Sequence, residues 1–304
     1  MKKAYLSFDI GGTFLKYGLI SGDGYLLEES KVMTSPTWEG LVESLRAVIE
    51  NGDYEILGVG ISCPGTVDVE TGIVYEGGML PYLDKVSIKQ FIEEEFGYEC
   101  FVTNDGKAAI SAEKWQGNLI DISNASVIVL GSGVAGALLI NGNLVEGAHF
   151  KAGEYSFVSD FNSEGLSEYD LIGMKGSAVM FIRKCAEVLA LDDLHDGEKV
   201  FEVIKSGDNA EINKLFDAYC QSIAHLIMNT QAILDLEKVV IGGGISKQGY
   251  LIDNIDKQYK LMKRQIPLYQ EKFKDLEISA CKFGNSANLI GAVYPFFKSK
   301  ILVA

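Results

Sequence analysis

Histidine is scarce in this chain of 304 residues: His149, His195 and His225 are the only three, and they lie far apart. Spaced in this way they read as structural or surface residues, with His149, five residues before Glu154, the exception to watch. The five cysteines (Cys63, Cys100, Cys185, Cys220 and Cys281) are odd in number, with no pair at ligand spacing. That excludes a disulfide framework and a zinc knuckle, and it predicts reduced thiols and a cytoplasmic protein. Positive charge is also short, with 27 Lys and Arg against 42 Asp and Glu, for a net charge of −15. Such an excess argues against nucleic acid or an anionic membrane as partner, but not against small anions held by backbone amides. No apolar run approaches the roughly 20 residues of a membrane span. Low-complexity tracts and long linkers are missing too, and Met1-Lys2-Lys3 leads into strand-like sequence without a signal-peptide cleavage pattern. Trp38 and Trp115 are the only tryptophans, and both read as packing residues.

Glycine, by contrast, is plentiful, and much of it stands where strand-like runs stop. Ala4–Ile10 ends in Asp9-Ile-Gly-Gly-Thr13, and Phe14–Ile20 and Tyr25–Ser30 follow as strands around the turn Ser21-Gly-Asp-Gly24. The spacing of Leu41, Leu45, Val48 and Ile49 predicts a helix over Trp38–Asn51. A β-branched strand, Ile56–Ser62, stops at Cys63-Pro-Gly65, and an amphipathic helix is expected over Val86–Phe96 before the strand Cys100–Thr103. The pattern restarts at Ser126–Leu130, which closes on Gly131-Ser-Gly-Val-Ala-Gly136 and resumes at Ala137–Ile140. Helical patterns cover Lys175–Leu189 and Lys214–Leu234, and the acidic stretch Asp192–Glu198 reads as a solvated turn. The strand Lys238–Ile241 runs into Gly242-Gly-Gly-Ile-Ser246, and Asn288–Lys298 forms a closing helix. Two halves that each open on a strand–glycine turn–strand hairpin predict a duplicated mixed α/β unit around a cleft. The expected boundaries are a smaller domain over residues 1–112, completed by 288–304, and a larger one over 113–287.

The chemistry centres on Phe101–Ala109, where a short apolar run delivers Asn104 and Asp105 at its carboxyl end. In open α/β sheets ligands bind outside the carboxyl ends of strands, and a lone carboxylate there suits a general base acting on a hydroxyl. The plain alternative is that Asp105 caps the helix that follows. A glycine hairpin tip serves phosphate, because its N–H groups can approach an oxyanion without intervening side chains. Any one tip is as easily a tight turn. Asp9–Thr13, Gly131–Gly136 and Gly242–Gly244 taken together favour phosphate binding, with two tips facing each other across a triphosphate. Thr13 and Lys16 can steady phosphate, and Asp9 can hold magnesium directly or through water. Gly131-Ser-Gly-Val-Ala-Gly136 also spells a dinucleotide fingerprint, but that fingerprint requires a helix next. Here strand-like Ala137-Leu-Leu-Ile140 follows, which excludes it.

Read together, these motifs resemble the ROK family of sugar kinases, within the group that shares the actin-like and hexokinase-like ATPase fold. Asp9-Ile-Gly-Gly-Thr13 with Lys16 is similar to the first phosphate motif, and Leu130–Ala137 to the second, with Ala135 where glycine is more usual. Gly58-Val-Gly-Ile-Ser-Cys-Pro-Gly65 resembles the loop bordering the sugar, Asn104-Asp105 the catalytic pair, and Gly153-Glu154 the sugar-binding dipeptide. Val240-Ile-Gly-Gly-Gly-Ile-Ser246 resembles the adenosine motif. The matches run in family order from residue 4 to about residue 295.

The resemblance implies an ATP- and magnesium-dependent kinase, a homodimer, that phosphorylates a hexose or hexoside hydroxyl, the 6-hydroxyl of glucose or of a β-glucoside. Asp105 would be the base; Asn104, Glu154, Gly65 and Gly78 would contact the sugar. Asp9, Gly11, Gly12, Thr13, Lys16, Gly131, Ser132, Gly133, Gly242, Gly243 and Gly244 would serve ATP. Domain closure would exclude water. Two departures stand out. The family's zinc-ligating histidine position is Phe157, and Ser159–Gly173 holds no cysteine, so no zinc is expected. The glutamate that usually follows the zinc loop has no clear counterpart: Glu168 and Asp170 are nearby, but Leu171 falls closest to its spacing. Zinc-less members of this kind resemble β-glucoside kinases and some N-acetylmannosamine kinases, and the latter are the alternative substrate reading. A non-catalytic sugar sensor is the alternative from another class. Repressors of the family carry an N-terminal helix-turn-helix domain, whereas this acidic sequence opens on the first phosphate strand. A pseudokinase is a third option, opposed by intact Asp9, Asp105 and glycine motifs.

Overall fold

A computed structural model describes residues 2–52, 54–159 and 167–301. The chain opens with an antiparallel meander of β1 (Lys2–Ile10), β2 (Phe14–Ser21) and β3 (Leu26–Met33). Next come α1 (Trp38–Glu50) and β4 (Tyr54–Cys63), the latter parallel to β1. Thr37 caps α1, its hydroxyl accepting from the Gly40 N–H, and Leu41, Leu45 and Ile49 bury one stripe of the helix. A small antiparallel sheet of β5 (Thr66–Val67), β6 (Ile73–Tyr75) and β7 (Val86–Ser87) precedes α2 (Ile88–Phe96). Then β8 (Cys100–Asn104) pairs parallel to β4 and runs directly into α3 (Asp105–Gln116).

The pattern then repeats. β9 (Ala125–Leu130) and β10 (Val134–Ile140) form a hairpin extended by β11 (Asn143–Leu144). After α4 (Ile172–Lys175), α5 (Ala178–Val188), α6 (Gly197–Ser206) and α7 (Ala210–Leu234) comes β12 (Lys238–Gly243), parallel to β9. α8 (Gly249–Gln265) and α9 (Pro267–Lys272) lead to β13 (Glu277–Ala280), parallel to β12. The chain ends in α10 (Ala287–Ala292) and α11 (Pro295–Ile301). The sheet orders are β3-β2-β1-β4-β8 and β11-β10-β9-β12-β13, so strand for strand the second sheet repeats the first. The duplication inferred from the glycine turns is therefore a repeat of sheet topology.

Contacts divide the chain into two units: Met1–Ile120 with Glu146–Ala152 and Ser286–Ala304, and Asp121–Val145 with Gly153–Asn285. Each has its own apolar core. In the first, Leu6, Phe8 and Ile61 of the sheet pack with Leu45 and Ile92 of the helices. In the second, Ile128, Val239 and Ile241 pack with Phe181, Phe216 and Ile223. Both tryptophans pack against aromatic rings, Trp38 against Phe91 and Trp115 against Phe297.

Several elements differ from the sequence reading, each for a local reason. The helix expected over Val86–Phe96 begins at Ile88, because Val86 and Ser87 pair with β6 and the Ser87 hydroxyl accepts from the Gln90 N–H as cap. Lys175–Leu189 is not one helix: Gly176 and the cap Ser177 break it, with Ser177 accepting from the Met180 N–H. Asn288–Lys298 is two helices, since Pro295 offers no N–H to continue the first. The acidic turn ends in a helix that was not expected: Asp196 accepts from the Lys199 N–H and starts α6. The second hairpin strand resumes at Val134 rather than Ala137, and β13 and α8 had no expectation at all.

Candidate active site

Three parallel strands of the first sheet end side by side. Register pairs Asp9 with Ser62 and Cys63 with Asn104, so Asp9, the end of β4 and Asn104 form a row across the carboxyl ends of β1, β4 and β8. That is the ligand-binding edge of an α/β sheet. Cys63 shows how close the acids lie. Burial pushes its thiol far above the ordinary range, and the carboxylates of Asp105 and Asp9 add to the shift.

Asp9 is buried, and three side chains donate to it. Lys16 Nζ reaches Oδ2 at 3.1 Å, while Ser62 Oγ (3.1 Å) and Asn288 Nδ2 (3.0 Å) reach Oδ1. Lys16 was expected here; Ser62 and Asn288 were not. The tip between β1 and β2 is held by Thr34, another residue that sequence reasoning missed. Its hydroxyl donates to the Gly11 carbonyl at 2.6 Å, and its N–H donates to the Thr13 carbonyl at 3.0 Å. These bonds, with the Gly11 N–H donating to the Phe14 carbonyl at 3.1 Å, hold the tip in shape; an anion there would meet the N–H groups of Gly12 and Thr13.

The cap of α3 is Asn104, not Asp105. Asn104 Oδ1 accepts from the N–H groups of Gly106 (2.9 Å) and Lys107 (3.4 Å), and its Nδ2 donates to the Gly65 carbonyl at 2.9 Å. One amide thus fastens the helix start to the end of the Cys63-Pro-Gly65 turn. Asp105 is the first helical residue, and its Oδ1 shares the Gly106 N–H with the cap, at 2.7 Å. Negative charge is favoured in a first turn. Gly65 and Gly78 both have positive φ and lie against one another: a Cβ built at Gly78 would come 3.9 Å from the Gly65 nitrogen. The same loop reaches the first tip, since a Cβ at Gly12 would lie 3.1 Å from the Met79 methyl carbon. So Gly65, Gly78, Asn104 and Asp105 gather beside Asp9 and Gly11–Thr13.

The second unit, taken by itself, holds the other glycine turns. In register, Gly242 and Gly243 of β12 lie beside Val129 and Leu130, next to the tip Gly131–Gly133. Gly243 has φ +98°, and a Cβ there would overlap the Leu130 carbonyl, so only glycine lets the two strand ends meet. The Gly131 carbonyl accepts from Ala178 N–H at 2.9 Å, at the start of α5. Ser156 clasps the other side: its Oγ accepts from the Val134 N–H at 2.9 Å and donates to the Val134 carbonyl at 3.1 Å. Neither Ser156 nor Ser177, the cap of α5, carried a signal in the sequence. Gly153 packs on β10, a Cβ there falling 2.8 Å from Ala137 Cα, and Tyr155 hydroxyl bonds Ser126 Oγ at 2.7 Å. Glu154 is therefore carried on a segment pinned at Gly153, Tyr155 and Ser156. Phe157, at the expected histidine position, is 71% exposed.

Among the described residues no group of three or more His, Cys, Asp or Glu side chains could hold a metal ion. Part of the stretch weighed for zinc, residues 160–166, lies outside the described residues. Magnesium asks for less: it keeps most of its waters and binds through one or two carboxylates and substrate phosphates. A single carboxylate at Asp9, beside a glycine tip, fits that pattern. Beside the second tip a Cβ at Gly131 or Gly244 would meet nothing within 4 Å, which leaves room for a bulky anion.

Two sheets of the same order, each with glycine turns at its strand ends, define the actin-like ATPase fold. The ROK family model matches residues 5–158 and 182–298, and the chain belongs to the ROK family. It is 29% identical over 295 residues to a β-glucoside kinase from Klebsiella pneumoniae, covering 95% of each chain. A proposed N-acetylmannosamine kinase from Listeria monocytogenes superposes with a TM-score of 0.84 at 27% identity, covering 99% of this chain and 100% of that one. A ROK protein from Streptococcus pneumoniae, solved in complex with sucrose, gives a TM-score of 0.84 at 25% identity over 99% and 100% of the two chains.

Proposed function

We propose that this protein is an ATP-dependent sugar kinase that phosphorylates the 6-hydroxyl of the non-reducing glucose of a β-glucoside. The observation that carries the kinase reading is Asp105 at the carboxyl end of β8, as the first residue of α3 behind its cap Asn104. Asp105 takes the proton from the sugar hydroxyl as that oxygen attacks the γ-phosphorus in line; ADP leaves, and the phosphate ester remains on the sugar. Glu154 and the loop residues Gly65 and Gly78 orient the sugar, so that proximity supplies much of the rate. Asn104 contributes by keeping the Gly65 turn against the helix start. Gly11–Thr13, Gly131–Gly133 and Gly242–Gly244 receive the nucleotide, with Lys16 near the phosphates. Magnesium, held by Asp9 through water, would neutralise charge on the transferring group. The protein works in the cytoplasm as a homodimer.

The β-glucoside is favoured by Phe157. Where zinc-bearing relatives offer a polar histidine, this chain presents an exposed ring. A site without a hydrogen-bonding partner discriminates weakly against a sugar lacking the matching hydroxyl, and an apolar edge accepts an aglycone or second ring. The β-glucoside kinase relative supports this choice, and the sucrose-bound neighbour supports room for a second ring, its glucose being α-linked. N-acetylmannosamine is the competing substrate, supported by the Listeria neighbour, because its acetyl group can use the same edge. The test is kcat/KM for cellobiose, glucose and N-acetylmannosamine under one set of conditions, read by coupled ADP release. Cellobiose should at least equal glucose, and a strong preference for free glucose over both others would overturn the assignment. Tight sugar binding without turnover would instead identify a sensor.

A further inference from the structure

Two residues after Asp105, α3 carries a lysine that no motif explains. Lys107 is 2% exposed, one of the largest fully buried side chains in the protein. Its ammonium meets the Glu146 carboxylate and donates to the Phe150 carbonyl at 2.9 Å. A buried ammonium is costly unless paired, so both contacts are needed to keep it there. Both acceptors lie on one short segment, Glu146–Ala152. Contacts assign that segment to the first unit, although the residues on either side of it belong to the second.

The segment is an unusual piece of backbone. Gly147 has φ +79°, and Phe150 has φ +58°, a conformation that a residue with a bulky side chain rarely adopts. The Ala152 N–H closes the turn on the Glu146 carbonyl at 3.2 Å. Such strain persists only where the surroundings over-determine it, and the Lys107 bond to the Phe150 carbonyl falls on the strained residue itself. A second tie leaves from the other end: Lys151 Nζ donates to Glu76 at 2.6 Å. Glu76 also has positive φ, and Gly77 and Gly78 follow it. This second pair is solvent-exposed and therefore weak. The chain then enters Gly153-Glu154 directly.

We propose that Lys107 is a positioning residue for sugar binding. Acting from the helix that bears Asp105, it straps Glu146–Ala152 beside the Gly77–Gly78 loop and so fixes one wall of the sugar site. The proposal rests on the sugar-kinase reading for its kinetic part only.

The experiment compares Lys107→Met and Glu146→Gln with the parent by hydrogen exchange and by kinetics with cellobiose or glucose. Lys107→Met removes the buried charge and leaves Glu146, already 28% exposed, free to rehydrate, so it is the variant expected to fold. Glu146→Gln strands the ammonium and is the harsher change. In Lys107→Met, exchange of the strap amides should rise about tenfold or more, the loss expected for charge-assisted hydrogen bonds. The peptide covering α3 should exchange as in the parent. Sugar KM should rise by about the same factor, with KM for ATP and kcat within a few-fold. Unchanged strap exchange would overturn the proposal, as would equal rises in both KM values. Should the parent turn over no sugar, the functional reading fails, and the exchange measurement alone decides on the strap.

Discussion

Asp9 and Asp105 are both carboxylates at strand ends, yet their surroundings suit them to different work. Asp9 has three donors on it, two of them on Oδ1, and is held in place from β2, β4 and α10. That fixes its carboxylate in place, as the magnesium role proposed for it requires. Asp105 stands at the first position of α3, with capping left to Asn104. Asp105→Asn keeps the shape and removes the proton acceptor. Turnover should fall about 10²-fold or more, with sugar affinity far less affected. Turnover within a few-fold of the parent would dismiss Asp105 as base. Asn288→Ala tests the anchor. Hydrogen bonds to charged groups are worth about 1.5–3 kcal/mol, so KM for magnesium–ATP should rise roughly tenfold or more, with sugar KM unchanged. A fall in thermal stability with both KM values unaltered would make Asn288 purely structural.

At the scale of elements, α3 and α10 matter most, because one presents Asp105 and the other Asn288. They pack so closely that a Cβ at Gly291 would overlap the Ala108 carbonyl oxygen. Backbone meets backbone there, and no rotamer change can relieve a clash. Gly291→Ala should therefore destabilise the protein by about 2–3 kcal/mol, at the upper end of overpacking costs, and shift the urea midpoint accordingly. Wild-type stability in this variant would show that the helices can part without cost. The corresponding approach in the second sheet is Gly243 against Leu130, where β9 and β12 end together.

For the whole molecule, the cysteines give a readout of packing. Cys63, Cys100, Cys185 and Cys220 are buried, while Cys281 is half-buried. Burial pushes the thiols of Cys63, Cys100 and Cys220 far above the ordinary range and that of Cys185 to about 11. The thiolate is the nucleophile, so at pH 8 these four should react with N-ethylmaleimide only as fast as the protein opens. Cys281 should label first, and all five should label in denaturant, as mass spectrometry of timed samples can show. Rapid labelling of Cys63 in the native protein would mean that the ends of β1, β4 and β8 are open to solvent.

Much of this was legible in the residues themselves. Strand–glycine turn–strand hairpins have a period of two and a positional glycine, which are local properties, so the duplication and the family could be read along the chain. Asp9, Asn104 and Asp105 were legible for the same reason: each closes a strand whose apolar run marks it. Helix breaks were less so, because Gly176 and Ser177 interrupt a pattern that apolar spacing alone carries through. Asn288, Thr34 and the Lys107–Glu146 strap left no sequence signal, and Ser62 stood in the Gly58–Gly65 motif with nothing to tie it to Asp9. Asn288 lies 279 positions from Asp9, and Glu146 lies 39 from Lys107. A hydrogen bond between distant residues has no period and no motif, and it exists only once the sheets have set the strand ends side by side. Local backbone preference thus decided the fold and the kind of site, while tertiary packing decided which side chains hold that site in place.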